Sequence, residues 1–352
     1  MASLRDSLSY AAAQGARLAF YGTQYALSRR IAGRRTPPDA TPDAAPDATP
    51  DAAPAAFPPA QAVRRAMREL LRRDLANVGA GLYPPPPLLA DHPARLLRAT
   101  AGFFADLPKA LERRQRRGAI DVRKEVNGGD YPPYYLQNFH YQTGGWLSEE
   151  SARLYDHQVE VLFTGTADAM RRQGLVSFRK RFGAQRRPRP TIADIGTGTG
   201  RFLALLRGAL PQARLIGVEP SPAYRAEAAR RTRGARLLHG FAEALPLGER
   251  AVDGVSAVFL FHELPPAVRV RAAAEIARVL KPGGLFVMVD ALQYGDVPDF
   301  DGLLARFPAR FHEPYFASYL AADFAALLLP HGLVLETTTP AFLSKVFVFR
   351  RQ

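Results

Sequence analysis

The chain has 352 residues, 47% of them hydrophobic, enough for a full α/β core with a further layer around it. It contains no cysteine, which excludes disulfides, thiolate metal sites and cysteine nucleophiles, and no run approaches the roughly 18 uninterrupted apolar residues that a membrane-spanning helix needs. The net charge of +14 lies mostly upstream of Thr191 and is densest from Arg171 to Pro190, a stretch that reads either as a solvated basic face or as a surface for phosphate-bearing partners.

Residues 1–35 read as one helix, because Leu4, Leu8, Ala11, Gly15, Leu18, Gly22 and Tyr25 recur every three or four positions. Its cations, Arg5, Arg17, Arg29, Arg30, Arg34 and Arg35, face only Asp6 and suit an anionic membrane surface. Packing on the protein's own body or on a second copy is an equal reading. Residues 36–60 place proline at every fourth position, within Pro-Asp-Ala units, which predicts an extended, disordered linker tethering that helix. Residues 61–187 read as mainly helical, interrupted by Tyr83-Pro84-Pro85-Pro86-Pro87 and by an aromatic stretch from Gly129 to Trp146. With no secretion signal, the expected location is cytoplasmic, with peripheral membrane contact through residues 1–35 as an added option.

From residue 188 onward, short apolar runs alternate with amphipathic helices, the pattern of a parallel sheet covered on both faces. Thr191–Ile195 is a buried strand, Gly196-Thr197-Gly198-Thr199-Gly200 a loop, and 201–210 a helix. Glycines allow sharp turns and close approach to a ligand, and the following helix start offers amide donors. The dinucleotide fingerprint would require glycine at 201 or 203, where Arg201 and Leu203 stand, so a nicotinamide-binding reading fails. Further strands are expected at 215–218, 235–239, 254–261, 285–290, 333–338 and 345–349, with helices over 268–280 and 316–329.

Asp194 and the loop that follows it resemble the acidic-x-G-x-G-x-G motif of class I S-adenosylmethionine (SAM) dependent methyltransferases. The resemblance covers residues 188–352 and implies an α/β fold: a seven-stranded, mostly parallel Rossmann-like sheet, closed by an antiparallel pair and preceded by a mainly helical cap over 61–187. It implies SAM as cofactor, with Asp194, Gly196, Thr197, Gly198 and Gly200 beside its methionine end. Glu219, followed by Pro220, stands at the end of strand two, where the family carries an acid that accepts hydrogen bonds from ribose hydroxyls. The alternative for Glu219 is an exposed acid capping the helix at Ser221. Phe241, Ala242 and Glu243 take the segment beside adenine, with Phe241 where the family carries aspartate.

Phe259 and His262 fall at the fourth family motif, where cofactor and acceptor meet. His262 is a general-base candidate, since imidazole titrates near neutrality, or else only shapes the pocket; His140 is a further catalytic candidate. For the acceptor, Tyr134, Tyr135, Phe139, His140, Tyr141 and Trp146, with His312, Tyr315 and Tyr319, form two aromatic stretches suited to a lid over a flat or apolar small molecule, against the competing reading of core packing. No metal ligands are assigned. The expected activity is methyl transfer to a small molecule, as in quinone-biosynthesis and natural-product C- and O-methyltransferases. Alternatives are a nucleic-acid amino-methyltransferase, prompted by the basic stretch and Tyr131-Pro132-Pro133-Tyr134, and a non-catalytic SAM-binding protein.

Overall fold

The computed structural model describes residues 4–35, 57–89, 91–116, 120–122, 131–185 and 187–352. Most of the expected linker, 36–56, and the start of the aromatic stretch lie outside the described residues. The chain runs through helices α1 (Leu4–Arg35), α2 (Ala60–Gly79), α3 (Pro93–Gln115), α4 (Glu149–Leu162), α5 (Ala167–Gln173) and α6 (Leu175–Phe182) before the first strand. Then follow β1 (Thr191–Ile195), α7 (Arg201–Ala209), β2 (Arg214–Val218), α8 (Pro222–Arg231), β3 (Arg236–Leu238), β4 (Val252–Val258), α9 (Pro266–Val279) and β5 (Leu280–Ala291). Helices α10 (Asp301–Phe311), α11 (Phe316–Leu320) and α12 (Phe324–Leu328) precede the last strands, β6 (Leu333–Ala341) and β7 (Ser344–Arg351).

The strands form one seven-stranded sheet in the order β3-β2-β1-β4-β5-β7-β6. Its first five strands are parallel, and β7 pairs antiparallel with both β5 and β6. Strand order reverses between β1 and β4. At such a switch point the flanking helices leave on opposite faces and a crevice opens beyond the carboxyl ends of the strands. Ile192, Ala193, Val255, Ala257, Val287 and Met288 are wholly buried, as strands covered on both faces require.

The expected helix over 316–329 is broken. Asp323 leaves helical geometry, its side chain accepts the Ala326 N–H 3.0 Å away, and α12 restarts behind that cap. The first helix does not stand apart as a tethered module; it packs on the protein's own body. Tyr10 donates to Asp74 Oδ2 at 2.7 Å, and Gln14 Nε2 donates to the Gly165 carbonyl at 2.8 Å. Arg17, one of the cations for which sequence left a membrane surface and the protein's own body as equal readings, is 3% exposed and pairs with Glu160 at 2.5 Å and Asp168 at 2.8 Å. The basic stretch is also divided: Arg171 and Arg172 are buried, paired with Asp168 and Asp74 respectively. No helix among the described residues is long and apolar enough to cross a membrane.

Candidate functional site: a cleft at the switch point

β1 leads into the glycine loop, whose turn needs φ of 63° at Gly196 and 75° at Gly200. A Cβ at Gly200 would lie 3.0 Å from Cα of Ala228, so this glycine also sets how closely α7 approaches α8. The loop then directs the Gly198 N–H at Glu219 Oε2, 2.9 Å away. On the other side, the N–H of Ser221 at the start of α8 reaches Glu219 Oε1 at 3.0 Å. Two backbone donors from two elements thus fix this carboxylate at the end of β2. Burial pushes Glu219 up to about 7, against those two N–H bonds and the Tyr135 hydroxyl, which favour the ionised form.

Asp194 is 2% exposed and accepts from Thr197 Oγ1 at 2.6 Å and Ser256 Oγ at 2.7 Å. Burial raises it to about 6 despite both bonds. The cleft beyond these acids is lined by nine of the predicted cofactor residues: Asp194, Gly196, Thr197, Gly198, Glu219, Pro220, Phe241, Ala242 and Phe259. Gly200 caps α7 instead, and Glu243 stands behind the wall, accepting from the Tyr134 hydroxyl at 2.7 Å.

Of the predicted acceptor residues, Tyr134, Tyr135, Phe139 and Trp146 line the cleft and come from the segment before the sheet. Tyr135 is central. Its hydroxyl donates to Glu219 Oε1 at 3.3 Å, its ring stacks on Tyr131 at 5.6 Å, and Phe241 meets it edge-on at 5.9 Å. The remaining candidates stand outside the lining. Tyr319 is a core residue whose hydroxyl donates to the Ala291 carbonyl at 2.5 Å. Tyr315 accepts from Gln137 at 3.0 Å, and His312 packs against Phe139 and Tyr141.

His262 also lies outside the lining, and its Nδ1 is 2.5 Å from Asp290 Oδ1. Burial pulls this imidazole down, but the Asp290 carboxylate overrides it and raises the group to about 10. It is therefore a held imidazolium at neutral pH. His140 occupies a left-handed backbone position, φ 56°, and its Nε2 reaches Glu313 Oε1 at 3.1 Å and Glu263 Oε1 at 3.5 Å. This His140–Glu263–Glu313 group is one that could hold a metal ion, although sequence assigns none.

Sequence reasoning missed Tyr155, Asp156, Arg171, Tyr224 and Glu263, all of which line the cleft. Glu263 directly follows His262, a candidate at the fourth family motif, so its position beside that motif is the signal for it. Arg171 was hidden among surface cations; in the fold its guanidinium pairs with Asp168 and lies 5.4 Å from the Phe259 ring centre.

Residues 192–284 match a family model described as a methyltransferase domain. The chain is 32% identical over 149 residues to a demethylmenaquinone methyltransferase of Chlorobaculum tepidum, covering 42% of this chain and 58% of that one. It is 35% identical over 156 residues to the O-methyltransferase cnsE of Penicillium expansum, covering 42% of this chain and 53% of the relative. The chain thus spans a little over half the length of these curated relatives. A solved SAM-dependent methyltransferase from Aquifex aeolicus is 17% identical, with a TM-score of 0.37 over 50% of this chain and 88% of its own. The part of the sheet within residues 192–284 is thus similar to a methyltransferase domain.

Proposed function

We propose that the protein transfers the SAM methyl group to a small, aromatic or apolar acceptor. The reading rests above all on Glu219, a buried carboxylate fixed by the N–H groups of Gly198 and Ser221 at the mouth of an aromatic-roofed cleft. When ionised, Glu219 accepts hydrogen bonds from two vicinal ribose hydroxyls. Phe241 and Ala242 offer a flat apolar wall for adenine. Asp156, Arg171 and Arg201, at the far end of the glycine loop, supply one acid and two cations for an amino-acid end that carries both charges.

SAM supplies a methyl group on a sulfonium that is already a good leaving group. The chain's own task is alignment and exclusion of water, worth about 7–11 kcal/mol when the geometry is right. Tyr134, Tyr135, Phe139 and Trp146 perform it by closing the cleft with rings. The curated relatives are named a demethylmenaquinone methyltransferase and an O-methyltransferase, which supports a small-molecule acceptor here. Burial of Arg171 and Arg172 inside the protein takes both cations away from its outer surface, which weakens the nucleic-acid alternative.

The test is to incubate the full chain with methyl-labelled SAM and metabolite extracts, with RNA and DNA in parallel. Label in a small-molecule fraction is expected. Label confined to nucleic acid, or transferred to nothing, would overturn the reading.

A further inference from the structure

We infer that His140, Glu263 and Glu313 form a divalent-cation site on the acceptor side of the cleft. Three separate segments deliver the ligands: the turn Phe139–Tyr141, the turn Phe261–Glu263 after β4, and the link from α10 to α11. One ligand atom from each lies within 4.8 Å of the others, and His140 Nε2 is 3.1 Å and 3.5 Å from the two carboxylates. Bonds of about 2.0–2.2 Å from nitrogen and oxygen to one ion put neighbouring ligand atoms at about such spacings.

The second observation is Glu313 itself. It is 1% exposed, its one polar contact is His140 Nε2 at 3.1 Å from Oε1, and neither carboxylate oxygen has a hydrogen bond of good geometry. A buried carboxylate with one imidazole beside it and no other polar contact is costly to keep ionised. Neighbouring Asp290 cannot share the need, since it is matched by His262 and by the N–H groups of Phe261 and Ala291. His262 holds Asp290 at 2.5 Å and stands farther, 3.7 Å, from Glu263, so two carboxylates and the His140 imidazole face a common point that a doubly charged ion would neutralise. Mixed imidazole and carboxylate ligands suit Mn2+ or Zn2+. Glu263 lines the cleft, so the ion presents its open position there, to an oxygen of the acceptor.

The experiment titrates the full-length, chelator-treated protein with Mn2+, followed by electron paramagnetic resonance, and with Zn2+ by calorimetry. Neither nucleoside nor acceptor is present, so the outcome is independent of SAM binding. One saturable ion per chain is expected, with at least tenfold weaker binding in E313Q. E263Q, altered at a side chain that reaches the cleft, gives the same readout should E313Q not fold; circular dichroism checks both. No saturable binding of either ion, or folded variants binding as tightly as the wild type, would overturn the site.

Discussion

Glu219 and His262 each contribute a pH response whose sign is calculable. Glu219 moves from a usual 4.5 to about 7 in the fold, so folding favours its neutral form; that contribution is complete below pH 4.5 and lost by pH 7. His262 moves from 6.5 to about 10, so its paired charge stabilises fully below pH 6.5 and progressively less as pH rises through 10. Both lower the stability of the ligand-free protein from mildly acid to alkaline pH. His157, which burial lowers to about 4, opposes them between pH 4 and 6.5, so the comparison is with the variant: E219Q should lose the Glu219 part of the melting-temperature profile below pH 7, and a profile parallel to the wild type would contradict the assignment. Nucleoside binding has the opposite sign, since ribose hydroxyls need the carboxylate. SAM affinity should rise as pH passes 7, and a flat calorimetric profile from pH 6 to 8 would count against it. Tyr135 now holds one Glu219 oxygen. Y135F removes a hydrogen bond worth about 0.5–1.5 kcal/mol, so SAM should bind up to about tenfold more tightly, whereas Y135A, which loses the ring, should bind more weakly.

At the scale of elements, α1 is held by charge as much as by apolar contact. R17A would leave Glu160 without its nearest cation inside the protein, a change expected to cost about 3–5 kcal/mol by urea unfolding. A loss below 0.5 kcal/mol would show that α1 contributes little. This element also marks the limit of what sequence makes legible. Its helical period is plain, but the partners of Arg17 lie 143 and 151 positions away, so periodicity could not separate lipid-facing from inward-facing cations. The sheet was legible because buried parallel strands are short apolar runs with turn signals between them. Thr191–Ile195 agrees to the residue, whereas the strand expected at 254–261 gives way after Val258 to left-handed Phe259 and a 3-10 turn. The same applies to the site. Glycines and an acid at fixed spacing announce a nucleoside cleft, while the meeting of His140, Glu263 and Glu313 depends on how three distant segments pack.

For the whole molecule, the cleft is shared: the sheet supplies Asp194, Gly198 and Glu219, and the helical region before it supplies the aromatic roof. A ligand gripped by both should stabilise them together, by about 2.7 kcal/mol when its concentration is a hundred times its Kd. The central claim is that Glu219 holds a sulfonium nucleoside in that shared cleft. Isothermal titration of the full chain with SAM, beside E219A with unchanged circular dichroism, tests it most directly. One SAM per chain in the wild type and a loss of at least tenfold in affinity in E219A are predicted; E219A binding SAM as tightly as the wild type would contradict it.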